Sequence, residues 1–386
     1  MSSKLIKTKL ESIAKNRMRK EDIDAWIIFT REGAPDPLAN EFGLGSCAWR
    51  SAGIFTQDLK SIAIVGSFDS KQVEKCGLYD EVLSYGSEGA ADLLASISKK
   101  EGLGKVALNF SDDFGVADGL TISMRKYLSK YIQSRFVSSE DLVIDLRARL
   151  LPEEVSKMRK AVQLTEGIFE EAQNKIIKEG VRDKEIFDYI QKLSIESGAS
   201  FSWHESMDPS VCVGTHEPQH LAYNNVTFKK NQLLRIDFGI NLDGYCSDLQ
   251  RVYFSGSPPK KLKEDFATAR RANEAAIKAI TPNTTGYSID KAGRDVVLKD
   301  GFADYKHALG HAIARADHEI GPLLGPRWRN RYGHAMDKTI GRSIMFTIEP
   351  TIYSKYGGIN LEQEVLVNEE GRVERISHPQ EELMVV

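Results

Sequence analysis

The chain is short of several things that would assign it a simple role. No run of about eighteen apolar residues occurs, the length a bilayer-spanning helix needs, so no membrane partner is expected. Cysteine is scarce: Cys47, Cys76, Cys212 and Cys246 show no CxxC spacing. They read as reduced, mostly buried residues and exclude a disulfide frame or a zinc knuckle. No long basic run accompanies the net charge of -3, so no nucleic-acid partner is expected. His307-Ala-Leu-Gly-His311 lacks the glutamate of the HExxH signature of one large class of zinc sites. Met1 to Arg19 is polar and repeatedly charged, without the apolar core of a secretory signal, so a cytoplasmic protein is expected.

What is present is enough chain for two domains, at 386 residues. Ala25–Thr30, Ser61–Gly66 and Val106–Phe110 are strand-length apolar runs, and Leu142–Leu146 is a further short run. Helical patterns lie at 4–16, 90–100 and 118–131, and the alternation predicts an α/β domain over residues 1–150. Pro152 followed by Glu153 and Glu154 is a helix start, and one long helix is expected over Pro152–Lys175. Residues 151–386 read as α+β, with helices at 182–198 and 261–280 and strands from Val211 onward, mostly in an antiparallel sheet.

Three motifs in this second region carry chemistry. In the first, Asp237 and Asp248 flank Asn241-Leu-Asp-Gly244, a hairpin signal. A turn on Leu242 and Asp243 sets the two aspartates directly opposite, with Cβ atoms about 4.5–5.5 Å apart. Two buried carboxylates that close must share a proton or hold cations. In the second, His311 closes His307-Ala-Leu-Gly-His311 and is the natural nitrogen ligand. His307 and His318 are candidates for outer-ligand, proton-handling or substrate contacts. In the third, a hairpin centred near Lys355 and Tyr356 sets Glu349 opposite Glu362. Glu364 lies on the same side as Glu362, since strand side chains alternate with period two, and is the rival ligand.

These motifs, in this order, resemble the pita-bread metallopeptidase family, which includes methionine aminopeptidase, prolidase and aminopeptidase P, with creatinase as a metal-free relative. Asp237 and Asp248 match its two aspartates, including Gly-Tyr-x-Ser-Asp. Gly310-His311 matches its metal histidine, and His318-Glu319 its downstream His-Glu. Thr347-Ile-Glu349-Pro350 matches its first glutamate motif. Ile359-Asn-Leu-Glu362 stands where the family has Arg-Ile-Glu-Asp, so the resemblance gives the ligand role to Glu362. The chain departs from the pattern at Ala312 and Ala314, Thr351, Asn360 and Gln363, and in a longer, more basic segment around Arg327, Trp328 and Arg329. Residues 1–150 resemble the N-terminal domain of prolidases and creatinases.

The resemblance implies two divalent ions (Mn, Co, Zn or Fe) on Asp237, Asp248, His311, Glu349 and Glu362. It implies hydrolysis of short peptides, most often at Xaa-Pro bonds, through a metal-bridging hydroxide. Glu349 would move the proton, and His220 and His318 would bind substrate and steady the developing oxyanion. It also implies a homodimer. Two other readings are a metal-dependent hydrolase or lyase of a small non-peptide compound, and a non-enzymatic binding protein.

Overall fold

The computed structural model describes residues 2–215 and 222–386, and the chain divides into two compact units, Met1–Leu146 and Arg147–Val386. The division falls inside the helix Glu140–Ala148. That helix contains Leu142–Leu146, which the sequence grouped with strand-length runs. A short apolar run carries no period of its own, and Leu142, Val143, Ile144 and Leu146 are all buried on this helix.

The first unit is built on a six-stranded sheet in the order β4-β3-β2-β1-β5-β6. Its strands are β1 (Ala25–Thr30), β2 (Ser51–Thr56), β3 (Ser61–Gly66), β4 (Glu81–Tyr85), β5 (Lys105–Leu108) and β6 (Arg135–Ser138). β1 pairs antiparallel with β2 and parallel with β5. Every residue of β1, β2 and β3 is buried, which is why they read as continuous apolar runs instead of alternating ones. Helices Ala91–Lys100 and Ile122–Tyr131 press Leu94, Ile97, Met124 and Leu128 into that core.

The second unit opens with the helix Pro152–Lys175, with Pro152 in its first turn and Glu154 closing back on the Leu151 N–H at 2.8 Å. Helix Asp183–Glu196 follows. Three small sheets then carry the site. One is β11 (Tyr245–Cys246), β10 (Ile240–Leu242) and β7 (Ser200–Phe201). The second is β19 (Met384–Val385), β12 (Leu249–Phe254), β9 (Leu233–Phe238) and β8 (Ser210–Val213). The third is β13 (Ala312–Ile313), β14 (Ile344–Ile348), β17 (Gln363–Val367) and β18 (Val373–Arg375). A two-stranded ribbon, β15 (Thr351–Ser354) with β16 (Gly357–Asn360), continues the hairpin of β14 and β17.

The helix expected over 261–280 spans Lys260–Ala279, but Gly286–Lys299 was not expected. Its Thr285 cap accepts the Ser288 N–H, and Gly286 and Gly293 weaken its propensity signal. Both glycines are there for close approach: a Cβ on Gly286 would stand 2.0 Å from the Leu323 carbonyl oxygen.

Candidate metal centre

The first hairpin sets the aspartates. Asp243 and Gly244 both have positive φ, at 54° and 81°, the conformation a two-residue hairpin turn requires. The turn therefore sits on Asp243-Gly244, and Leu242 pairs with Tyr245. The expected turn on Leu242 and Asp243 is corrected by one position, because leucine is disfavoured at positive φ and glycine is not. The register moves by two: Asp237 faces Gln250, and Asp248 is offset along the strand. A shift of two keeps side chains on the same side, so the aspartates still converge.

The second hairpin follows the expected register. Ile348 pairs with Gln363 and Thr351 with Asn360, which sets Glu349 opposite Glu362 between them. The segment leading to His311 lies along the same strand: the Glu349 N–H donates to Leu309 O at 2.7 Å and the Thr347 N–H to His311 O at 3.0 Å. Gly310 has no alternative there, since a Cβ would lie 2.0 Å from the Thr347 carbonyl oxygen. Arg294, on the unexpected helix, fixes the start of this segment. It pairs with Asp290 at 2.8 Å and donates to the carbonyls of Tyr305 and His307, each at 2.8 Å.

Asp248, His311 and Glu362 come together with one ligand atom each, all within 4.8 Å of one another. His311 Nε2 lies 3.6 Å from Asp248 Oδ2 and 3.7 Å from Glu349 Oε1. These spacings are too long for hydrogen bonds. They suit donors sharing one ion with bonds of about 2.0–2.2 Å. Asp237 belongs electrostatically to the same group, because its charge raises the pKa of Asp248, Glu349 and Glu362.

Burial pushes all three of those carboxyls well above the usual range, and their mutual repulsion adds to it. His311 is driven the other way, first by burial and then by His318, so its imidazole is neutral. Its Nδ1 faces the Ala312 carbonyl at 3.2 Å and must carry the proton, which leaves the Nε2 lone pair aimed at the acids. Asp248 Oδ1 and both Glu362 carboxylate oxygens are buried without a hydrogen-bond partner among the described residues. Orphan oxygens beside a neutral imidazole fit divalent cations, and carboxylate with imidazole donors suits Mn, Fe, Co or Zn.

The rival Glu364 is engaged elsewhere. Its Oε1 accepts the Asp248 backbone N–H at 2.7 Å, and burial raises its pKa to about 8. It props the strand that carries Asp248. Gln250 was not singled out from sequence; it faces Asp237 and its Nε2 reaches Glu349 Oε2 at 3.5 Å. Its signal was the turn type, which fixes the register. Buried Asp208, held by the N–H groups of Ser202 and Gly239, was also missed, and Asp237 raises its pKa further after burial.

His318 is exposed, with its ring edge-on to His311 at 4.2 Å between centroids. Its neighbour Glu319 is committed to a two-pronged pair with Arg147, both contacts at 2.8 Å. Both ring nitrogens of His307 have partners within the chain, Ala308 O and Thr351 Oγ1, each at 2.7 Å. His220 lies outside the described residues. In the basic segment, Arg327 and Arg329 spend their charge on Asp337 at 3.1 and 2.8 Å, and Trp328 stacks with Tyr332.

A buried acid–imidazole cluster on paired hairpins, in the second of two units, defines a pita-bread metallopeptidase. Residues 156–369, more than half of the chain, match the model of metallopeptidase family M24, and the chain belongs to that family. It is a metal-dependent exopeptidase. A Xaa-Pro dipeptidase of Lactobacillus helveticus is 28% identical over 275 residues, covering 70% of this chain and 71% of that protein. An uncharacterized peptidase of Staphylococcus epidermidis is 27% identical over 271 residues, covering 69% and 74%. Among solved structures, a Xaa-Pro dipeptidase from Bacillus anthracis superposes with a TM-score of 0.74 at 24% identity, covering 99% of this chain and all of that one. Dipeptidase PepE from Mycobacterium ulcerans gives 0.75 at 20% identity, covering 100% and 99%. At these identities the structural likeness speaks for the fold.

Proposed function

We propose that this chain hydrolyses short peptides at Xaa-Pro bonds, with Asp237, Asp248, His311, Glu349 and Glu362 holding two divalent cations. The observation that carries the reading is the set of buried carboxylate oxygens, on Asp248 and Glu362, without partners among the described residues and beside the lone pair of His311. Bound divalent ions supply a water of lowered pKa and polarise a carbonyl. Four carboxylates balance two such charges, which removes the repulsion that otherwise forces protons onto them.

The chain's own residues supply the rest. Glu349 keeps 17% of its side chain exposed, against 10% for Asp248, which leaves it room to exchange a proton with the substrate side. It takes a proton and passes it to the leaving nitrogen. His318, exposed beside His311, donates a hydrogen bond to the substrate oxygen, a task it shares with His220. An Xaa-Pro bond has no N–H, so recognition rests on ring shape and on the peptide's termini. The Lactobacillus helveticus relative, named a Xaa-Pro dipeptidase, supports this choice of bond. Manganese is the ion we favour, and a cytoplasmic homodimer the form.

The test is Asp248→Asn, which removes one ligand charge and keeps the side chain's shape. Hydrolysis of Xaa-Pro dipeptides by the metal-loaded variant is expected to fall at least about a hundredfold with the fold intact, on the scale of losing a charge-stabilising group. Full activity in a folded variant would refute the two-cation site.

A further inference from the structure

A second polar layer lies one strand repeat away from the ligands. Arg235 is two residues before Asp237, Asn360 two before Glu362, and Thr351 two after Glu349. Two residues of strand are about 6.5 Å. Thr351 and Asn360 are direct cross-strand partners, and the pairing of Ala312 with Phe346, continued back, sets His307 against Thr351.

These four residues form one chain of hydrogen bonds. Arg235 Nη1 donates to Asn360 Oδ1 at 3.2 Å, Asn360 Nδ2 donates to Thr351 Oγ1 at 2.6 Å, and Thr351 Oγ1 lies 2.7 Å from His307 Nε2. Both ends fix the direction. A guanidinium only donates, so Asn360 must turn its oxygen to Arg235 and its amide N–H groups to Thr351. At the far end the Ala308 carbonyl only accepts, so His307 Nδ1, 2.7 Å away, must carry the proton. Nε2 is then a lone pair, and the Thr351 hydroxyl, already accepting from Asn360, gives its proton to it.

Arg235 is 2% exposed and has no carboxylate within ion-pair distance among the described residues. Among the described residues its other polar contact is Cys212 Sγ at 3.3 Å, and its Nε has no partner. A buried charge without a counter-ion is costly and is not explained by packing alone.

We infer that Arg235 is a positioning residue of the active site: acting through Asn360 and Thr351, it holds His307 as a neutral imidazole with both nitrogens engaged. His307 then stands beside the metal layer as a fixed, uncharged wall and offers the substrate no hydrogen bond. The charges around it favour the same state. The charges of Arg294, Arg235 and Arg331 act on it, the ring of Tyr305 lies tilted against it at 4.9 Å, and burial is the largest influence holding its pKa down, at about 4.

Asn360→Asp tests this. It keeps the shape and gives Arg235 a counter-charge, so the fold is expected to persist. An aspartate cannot donate to Thr351, whose hydroxyl turns to it instead. Both His307 nitrogens then face acceptors, Thr351 Oγ1 and Ala308 O, and the imidazolium is favoured. In the zinc-loaded, 15N-histidine-labelled protein, NMR is expected to give one neutral Nδ1–H form for His307 in the parent. In Asn360→Asp the midpoint is expected to rise by at least one pH unit, with both nitrogens protonated below the new midpoint. Arg235→Met is expected to mix the two neutral tautomers, and Arg235→Lys, which also only donates, to restore the single one. His307 signals identical to the parent's in Arg235→Met and in Asn360→Asp, or in Arg235→Met alone where the aspartate variant does not fold, would overturn the inference. The expected kinetic consequence, an acid limb in kcat/KM for an Xaa-Pro peptide in Asn360→Asp, rests on the proposed function. Altered spectra with no peptide cleaved by the parent would refute that function and leave the positioning role standing.

Discussion

Glu362 and Glu364 are two residues apart on one face, and their surroundings separate them. Among the described residues Glu362 has two buried oxygens without partners, whereas Glu364 has one such oxygen and holds the Asp248 N–H with the other. Glu362→Gln is therefore expected to lower metal affinity at least a hundredfold. Glu364→Gln, which keeps an acceptor for Asp248, is expected to lower it about tenfold, as supporting residues do. Metal titration by calorimetry measures both. The distinction was not legible from spacing, because alternation puts both acids on one side and says nothing of who accepts a backbone N–H. Asp36, in the first unit, is a residue of another kind. It is buried, accepts the Leu38 N–H at 2.9 Å, and burial raises its pKa to about 6. A carboxyl whose folded pKa exceeds its unfolded value binds protons more tightly when folded. Stability is then expected to fall between about pH 4 and pH 6, by about 2–3 kcal/mol, and to level off above. Urea unfolding across that window reads it, and Asp36→Ala is expected to flatten the profile.

At the scale of elements, what could be read depended on whether the deciding signal was local. Ala25–Thr30, Ser61–Gly66 and Pro152–Lys175 lie where apolar runs and the proline start placed them. Gly286–Lys299 was illegible because its two glycines answer to neighbours distant in sequence, Leu323 for Gly286 and Leu309 for Gly293. The register of the first hairpin was missed by one turn position, although Asp243-Gly244 is the stronger turn signal of the two. The second hairpin, centred on Lys355 and Tyr356, was legible from symmetry alone. Where the histidine segment meets β14, Gly310 allows a contact no side chain permits. Gly310→Ala is expected to cost about 2–3 kcal/mol through overlap with the Thr347 carbonyl. That corresponds to a fall of roughly 5–10 °C in the melting temperature of the second unit, seen by calorimetry.

At the scale of the whole molecule, each unit has its own core, which is why two domains could be expected from length and from the change of pattern near Pro152. The site draws on residues from Asp237 to Glu362, so no single window contains it; the order of its motifs did more than any one spacing. The fold leaves a set of buried acids that cannot all be ionised together, and function follows from what neutralises them. Hydrolysis of an Xaa-Pro dipeptide by purified protein, assayed after chelation, after manganese is restored, and in Asp248→Asn, tests this most directly. The expected result is activity only in the manganese-restored parent; activity that survives chelation, or that persists in Asp248→Asn, would contradict it.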